Sequence, residues 1–168
     1  LPAPRGTVDR IAPAALAAWL QAGGDLVLID VGASAGYVRR HIPGAWFAIR
    51  AQLAQALRQL PAASRYVLTC GSSLLASHAA QDLRDALDAA GRAEAQVRVL
   101  DGGNAAWFAA GLPAEAGETR LATPRTDRYR RPYEGTDAPR EAMQAYLDWE
   151  FGLVAQLERD GTHHFRVL

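Results

Sequence analysis

Two patterns of apolar residues alternate along the first 117 residues of the chain. Apolar positions at helical spacing predict helices over residues 13–22, 50–60 and about 75–90, and a further short helix is predicted between the glycine-rich turn and the Gly-Leu-Pro stop of residues 101–113. Short uninterrupted apolar runs, typical of parallel strands covered on both faces, predict strands at 25–32, 66–69 and 97–100. Because helices and strands take turns, the pattern predicts an α/β fold with a mostly parallel sheet.

The pattern changes after Gly117. Residues 118–138 are polar and rich in arginine and proline, which predicts a linker or an extension along the surface. Helical spacing then returns and predicts an amphipathic helix over about 139–160. Its apolar stripe includes Met143, Leu147, Val154 and Leu157. The chain is therefore divided into a domain at 1–117 and a C-terminal extension at 118–168.

The composition narrows the classes of partner. The chain has 18 basic and 18 acidic residues, so its zero net charge gives no reason to expect nucleic acid or an anionic membrane as partner. No apolar run approaches the roughly 20 residues that span a bilayer, and no signal peptide is visible. One cysteine cannot form an internal disulfide, so the fold does not depend on an oxidising compartment. We therefore expect a cytoplasmic protein.

The cysteine occupies a position suited to chemistry. Cys70 lies where the strand at 66–69 ends and a helix is about to begin, and ligands of α/β sheets bind at such strand ends. The amides of the following loop and the positive end of the helix form a cradle for an anion and favour a thiolate. Two interpretations stay open at this point. Cys70 is either a reactive nucleophile or a buried thiol that packs as a small hydrophobe.

Three segments together resemble the rhodanese family. They are residues 26–50, which contain "HIPGA", residues 66–83 around the cysteine, and residues 97–113 with "GGNAAW" and "GLP". The resemblance covers about residues 7–117 and implies a rhodanese-like three-layer fold, with a central parallel sheet flanked by helices. In this family the cysteine takes a sulfane sulfur from a small-molecule donor, holds it as a persulfide and passes it to a thiophilic acceptor. Cys70 falls on that position.

The resemblance also implies a class of enzyme and its site. We expect a sulfurtransferase of the thiosulfate or 3-mercaptopyruvate class, with Cys70 catalytic and no cofactor. The substrate-binding loop would consist of Gly71, Ser72, Ser73, Leu74, Leu75 and Ala76. The extension resembles the C-terminal end of bacterial proteins with several rhodanese domains in tandem. All basic residues are arginine, which is typical of GC-rich bacterial genomes, and the chain begins at Leu1, so we expect a piece of a longer protein with neighbouring rhodanese domains.

The loop departs from the family's common Cys-x-x-Gly-x-Arg pattern. Ser73 stands at the glycine position and Leu75 at the arginine position, and Gly32 replaces the arginine of the usual Asp-x-Arg. The loop is closer to Cys-Gly-Ser-Gly-Val-Thr-Ala of the 3-mercaptopyruvate sulfurtransferases. Such a loop binds an anion through backbone amides and serine hydroxyls, as an oxyanion hole does. Arg50 is the candidate for the missing cation, set against the ordinary role of a solvated surface arginine.

Other interpretations remain beside the enzyme. The missing arginines favour a rhodanese-homology module that binds or regulates with little turnover, and a plain thiol redox sensor is a third hypothesis. A phosphatase is disfavoured because a phosphate ester would lose its bidentate arginine. We expect structural roles for Asp30 and His41, and a surface position for His78. His163 and His164 lack further ligands at metal spacing, so no metal site is predicted.

Overall fold

The computed structural model describes residues 3–128 and 140–161 and divides into two compact units, Leu1–Arg128 and Tyr129–Leu168. The first unit has five strands: β1 (Arg10–Ile11), β2 (Leu26–Asp30), β3 (Trp46–Phe47), β4 (Arg65–Thr69) and β5 (Gln96–Leu100). Its helices are α1 (Pro13–Ala22), α2 (Ser34–Arg39), α3 (Leu53–Ala56), α4 (Leu74–Ala89) and α5 (Gly103–Ala109). The second unit contains α6 (Arg140–Asp160).

The five strands form one parallel sheet in the order β1-β5-β4-β2-β3. β4 is central and pairs with β2 along its whole length, from Leu26 opposite Arg65 to Asp30 opposite Thr69. Because the strands are parallel, β2, β4 and β5 end at the same edge of the sheet. The α/β class predicted from the sequence is confirmed, and the residue after β4 lies at the middle of that edge.

Alternating side chains of the strands fill two cores, one on each face of the sheet. One face packs against α3 and α4 and includes Val27, Ile29, Leu68, Val97 and Val99. The other packs against α1, α2 and α5 and includes Leu28, Val67, Leu100, Tyr37 and Trp107. Burial on both faces explains why the central strands read as continuous apolar runs in the sequence.

The segment predicted as a helix over 50–60 is less regular than its spacing suggests. It forms a 3₁₀ turn at Arg50–Gln52, the single turn of α3, and further turns up to Leu60. Leu53, Leu57 and Leu60 are all buried against the α4 face of the sheet. The helical spacing of these leucines therefore reflects that one side of the segment is buried. Two successive types of turn bury that side as well as a single helix would.

Residues 118–128 lie with the first unit although their composition resembles a linker. Leu121 forms a parallel bridge to Phe47 of β3, and the backbone of Phe47 exchanges hydrogen bonds with Arg120 and Ala122 at 2.9 Å each. Thr123 Oγ1 accepts a further hydrogen bond from the Ile49 amide at 2.9 Å. The segment thus covers the outer edge of β3, and the compact unit ends at Arg128 where the sequence boundary was placed at residue 117.

Truncation after residue 117 will destabilise the domain relative to truncation after Arg128. The shorter chain loses three hydrogen bonds at β3 and the buried Ala122, a loss of about 3 kcal/mol or roughly 10 °C in melting temperature. Thermal unfolding of the two truncated chains, followed by circular dichroism, measures the difference. Equal melting temperatures would show that residues 118–128 contribute nothing to the first unit.

The second unit is described by one helix. The structure has α6 at Arg140–Asp160, where the sequence predicted a helix over about 139–160. Apolar side chains of this helix are exposed, among them Met143, Leu147, Trp149, Phe151 and Leu157. Residues 129–138 of the predicted linker, Pro139, the side chain of Val154, and His163 and His164 lie outside the described residues. Within the described part of the chain, no helix combines the length and the apolar character that crossing a membrane requires.

Candidate active site

Cys70 directly follows β4, and its sulfur is enclosed by the loop that leads into α4. The residue is 4% exposed, and the Ala76 amide donates a hydrogen bond to Cys70 Sγ at 3.4 Å. The first amides of a helix have no partner within the helix. Ser73 makes no side-chain cap at this helix start, so Cys70 Sγ takes the place of a capping oxygen. A negative charge on this sulfur would face the positive end of α4.

The predicted loop residues divide into a buried pair and an exposed set. Gly71, Ser72, Leu74 and Leu75 are exposed, whereas Ser73 and Ala76 are buried. The sequence suggested the hydroxyls of Ser72 and Ser73 as neutral donors to a bound anion. The structure places the Ser73 hydroxyl against the guanidinium of Arg10, at 3.3 Å from Nη1. The Ser73 hydroxyl therefore accepts a hydrogen bond from Arg10, whereas the side chain of Ser72 is exposed.

Ser73 has a left-handed backbone conformation, with φ of 67° and ψ of −12°. This conformation costs an L-residue roughly 1–2 kcal/mol, which explains why the common loop of the family has glycine here. The Ser73 carbonyl accepts hydrogen bonds from both the amide and the hydroxyl of Ser77, each at 2.9 Å. The surroundings hold a serine in a conformation that a glycine would adopt without strain.

A polar network beneath Cys70 joins the ends of β2 and β4 to the start of α5. Asp30 ends β2 and accepts hydrogen bonds from the Gly32 amide at 2.8 Å and from Asn104 Nδ2 at 2.7 Å. Asn104 Oδ1 accepts a hydrogen bond from the Thr69 hydroxyl at 2.8 Å, and the backbone amide of Asn104 donates to the Cys70 carbonyl oxygen at 2.8 Å. Burial raises the pKa of Asp30, and its two hydrogen bonds oppose that rise. Asp30 has the structural role that the sequence indicated. Asn104 belongs to the same network, although the sequence did not single it out.

Gly103 brings the start of α5 into direct contact with the cysteine loop. Its φ is +62°, and a Cβ atom at this position would lie 2.2 Å from the Cys70 carbonyl oxygen and 2.6 Å from the Ser73 nitrogen. No side chain fits there. The "GGN" of the sequence is therefore part of the site. Gly103 leaves room for the cysteine loop, and the backbone amide of Asn104 binds the backbone of that loop.

Arg50 lies in an open pocket of about 660 Å³ beside the cysteine loop. The pocket is also lined by Gly32, Leu75 and Asp82. Arg50 Nε donates to Asp82 Oδ2 at 2.6 Å. Burial opposes ionisation of Asp82, but hydrogen bonds from Arg50 and Arg5 outweigh it and hold the pKa of Asp82 below its usual value. The structure therefore brings Arg50 and the two positions that lack an arginine together, with the charge of Arg50 partly balanced.

His41 belongs to the scaffold, as the sequence indicated. It is fully buried, its Nδ1 lies 2.7 Å from the Tyr37 carbonyl oxygen, and its ring stacks on Tyr37 with centroids 3.9 Å apart. Its backbone pairs with Glu115 in both directions. His78 is partly exposed on α4. Across residues 3–128 and 140–161, no group of three or more His, Cys, Asp or Glu side chains lies together as metal ligands would.

Arg10 was not predicted as part of this region. It lies on β1, yet its guanidinium reaches Ser73 and Ser77 at the start of α4 and Asp101 after β5. β1 is two residues long and has no apolar run of its own, so its pairing with β5 could not be deduced from the pattern. Without that pairing, nothing in the sequence connects Arg10 with a loop more than sixty residues away.

The chain resembles proteins of known structure over most of its length. A thiosulfate sulfurtransferase from Pseudomonas aeruginosa is 57% identical, with a TM-score of 0.83, over 99% of this chain and 30% of its own. The 3-mercaptopyruvate sulfotransferase SseA from Escherichia coli is 22% identical with a TM-score of 0.55, over 68% of this chain and 54% of its own. A yeast protein tyrosine phosphatase of the rhodanese family is also 22% identical, with a TM-score of 0.50, over 62% of this chain and 86% of its own.

These similarities differ in what they show. The two structures at 22% identity show the shared fold alone. The present chain spans about 30% of the length of the P. aeruginosa protein that it matches throughout. A comparison with curated protein sequences gave no match. The family model for the rhodanese-like domain matches residues 12–110, from the start of α1 to the end of α5. With a cysteine loop between β4 and α4 and a parallel sheet of the same fold, the chain belongs to the rhodanese-like domain family.

Proposed function

We propose that the chain is a rhodanese-type sulfurtransferase that carries sulfur on Cys70. The observation that supports this most directly is the hydrogen bond from the Ala76 amide to Cys70 Sγ at the positive end of α4. The same surroundings can accept the negative charge of a persulfide. The name of the P. aeruginosa relative, a thiosulfate sulfurtransferase, supports the same activity.

The proposed reaction has two steps. The Cys70 thiolate attacks the outer sulfur of thiosulfate, a new S–S bond forms, the S–S bond of thiosulfate breaks, and sulfite leaves with the electron pair. With 3-mercaptopyruvate the C–S bond breaks instead, the enolate of pyruvate leaves with the electron pair, and it becomes pyruvate by taking up the proton that the donor's thiol loses. The acceptor, for example cyanide, then attacks the outer persulfide sulfur, and thiocyanate leaves while the Cys70 thiolate is restored. No redox partner or cofactor is needed.

Mass measurement of the intact protein tests this function. Incubation with thiosulfate or 3-mercaptopyruvate will add the mass of one sulfur atom to the chain, and cyanide will remove it as thiocyanate. Because the chain has one cysteine, the added mass reports on Cys70. A chain that gains no sulfur from either donor would contradict the enzyme hypothesis.

The donor preference follows from the charges around the loop. Leu75 and Gly32 leave the loop without the family's arginines, and Arg50 is already paired with Asp82. Thiosulfate, a dianion, therefore meets little positive charge, whereas 3-mercaptopyruvate carries one carboxylate and an apolar body that suits Leu75. We expect both to be donors, with 3-mercaptopyruvate preferred and Arg50 nearest to its carboxylate.

Leu75→Arg will raise kcat/KM for thiosulfate by about tenfold or more, since a charge-assisted hydrogen bond contributes roughly 1.5–3 kcal/mol. Leu74→Arg is the matched control, because Leu74 is the neighbouring exposed residue and gains the same charge one position away. Thiocyanate formation at varied thiosulfate concentration gives kcat/KM for each of the two variants. Rapid turnover of thiosulfate by the unmodified chain, with no gain in Leu75→Arg, would refute the role given to the missing charge.

A binding or regulatory module is the second candidate function. It is favoured by the nearly complete burial of Cys70, which is 4% exposed, together with the absence of both arginines. In that case the chain would form no thiocyanate with any donor. We further propose a cytoplasmic location, which keeps a lone thiol reduced, and neighbouring rhodanese domains, which the length of the P. aeruginosa relative supports.

A further inference from the structure

Three groups converge on the guanidinium of Arg10. Its Nη1 donates to Ser73 Oγ at 3.3 Å and to Asp101 Oδ1 at 3.2 Å, and its Nη2 donates to Ser77 Oγ at 3.4 Å. Arg10 is on β1, Asp101 follows β5, and the two serines belong to the start of α4. One side chain thus connects the edge of the sheet to both ends of the first turn after the cysteine loop.

A cation at this place is not explained by the helix. The amino end of a helix carries partial positive charge, which disfavours a guanidinium there. Asp101 offsets that repulsion by pairing with Arg10. The remaining contacts are to Ser73 and Ser77, and both concern one feature, the left-handed conformation of Ser73. Arg10 binds the Ser73 hydroxyl directly, and it binds the Ser77 hydroxyl that itself donates to the Ser73 carbonyl at 2.9 Å.

We propose that Arg10 is a positioning residue for Cys70: by fixing Ser73 in its left-handed conformation, it keeps the Ala76 amide directed at Cys70 Sγ. Ser73 lies between the two, three residues after Cys70 and three before Ala76. If Ser73 relaxes to a right-handed or extended conformation, the chain leaves the loop in another direction and the amide loses the sulfur. Where the family's common loop uses glycine, this chain uses a serine and a clamp from β1.

This role predicts which kinetic constant changes. Arg10 is held by Asp101 and the two serines, and it acts on the sulfur only through the loop. Its effect on transfer therefore rests on the proposed function of Cys70 and should fall on kcat rather than on KM for the donor. A residue that bound the donor anion itself would change KM instead.

The test is a double-mutant cycle between Arg10→Gln and Ser73→Gly, with thiocyanate formation as the measurement. We expect Arg10→Gln to lower kcat about tenfold with KM nearly unchanged. In the Ser73→Gly background the same substitution should cost less than about twofold, because glycine adopts this conformation without help. Arg84→Gln is the matched control: Arg84 lies on α4 and holds the carbonyls of Thr7 and Val97, away from the loop.

Amide hydrogen exchange gives a second measurement that needs no sulfur donor. In Arg10→Gln, exchange at residues 74–77 should become at least about tenfold faster while β4 is unchanged, and Ser73→Gly should remove most of that difference. The proposal is wrong if the loss in Arg10→Gln falls on KM, if it is equally large in Ser73→Gly, or if Arg84→Gln shows the same loss. If the unmodified chain transfers no sulfur, the proposed function fails, and the exchange pattern alone decides whether Arg10 fixes the loop.

Discussion

Cys70→Ser will abolish sulfur transfer from every donor while leaving the fold nearly intact. A serine hydroxyl is a poor nucleophile at neutral pH and cannot hold a sulfane sulfur, so both steps of the reaction are lost. The substitution is small, and the serine oxygen can accept the hydrogen bond that the Ala76 amide now donates to Cys70 Sγ. We expect thiocyanate formation to fall to the background rate, with a loss in unfolding free energy of no more than about 1–2 kcal/mol.

Intact mass, thiocyanate formation and thermal unfolding together check this result. His78→Ala is a suitable control, because His78 is partly exposed on the same helix. That variant should gain and release sulfur as the unmodified chain does. Retained transfer in Cys70→Ser would refute the mechanism, since the chain has no second cysteine to carry the sulfur.

The central strands of the sheet stand out in the sequence more clearly than its edge strands. β2, β4 and β5 are buried on both faces, so their residues form apolar runs that stand out from the helices around them. β1 and β3 have two residues each, too few to show a period. The segment after residue 117 is polar because it lies along the outside of β3, and its contribution consists of backbone hydrogen bonds that leave no trace in composition.

The candidate site divides in the same way. Cys70 could be located because a strand end followed by a helix start is visible in the sequence, and that junction defines an anion cradle. The loop's support could not be located, because it comes from other strands. Asn104, which follows β5, reaches Asp30 at the end of β2 because a single strand, β4, lies between those two strands. Arg10 reaches Ser73 because β1 pairs with β5. These contacts depend on strand order, which a single sequence does not fix.

Gly103→Ala will damage both stability and activity more than any other single methyl group added near the site. The new Cβ would lie 2.2 Å from the Cys70 carbonyl oxygen and 2.6 Å from the Ser73 nitrogen, and both are backbone atoms that no side-chain rotation can move. Either α5 or the cysteine loop must shift. Overpacking costs roughly 1–3 kcal/mol, and the left-handed conformation adds roughly 1–2 kcal/mol. A shift of about 1 Å at Cys70 would lower kcat roughly 100-fold.

Gly111→Ala separates the two causes. Gly111 has φ of +70°, close to the +62° of Gly103, but nothing lies within 4 Å of its Cβ position. It should lose only the conformational part, about 1–2 kcal/mol, with kcat unchanged. Chemical denaturation gives the free energies, and thiocyanate formation per folded protein gives kcat even if part of the Gly103→Ala chain is unfolded. Equal losses of stability and activity in the two variants would mean that the contact between α5 and the cysteine loop does not position Cys70.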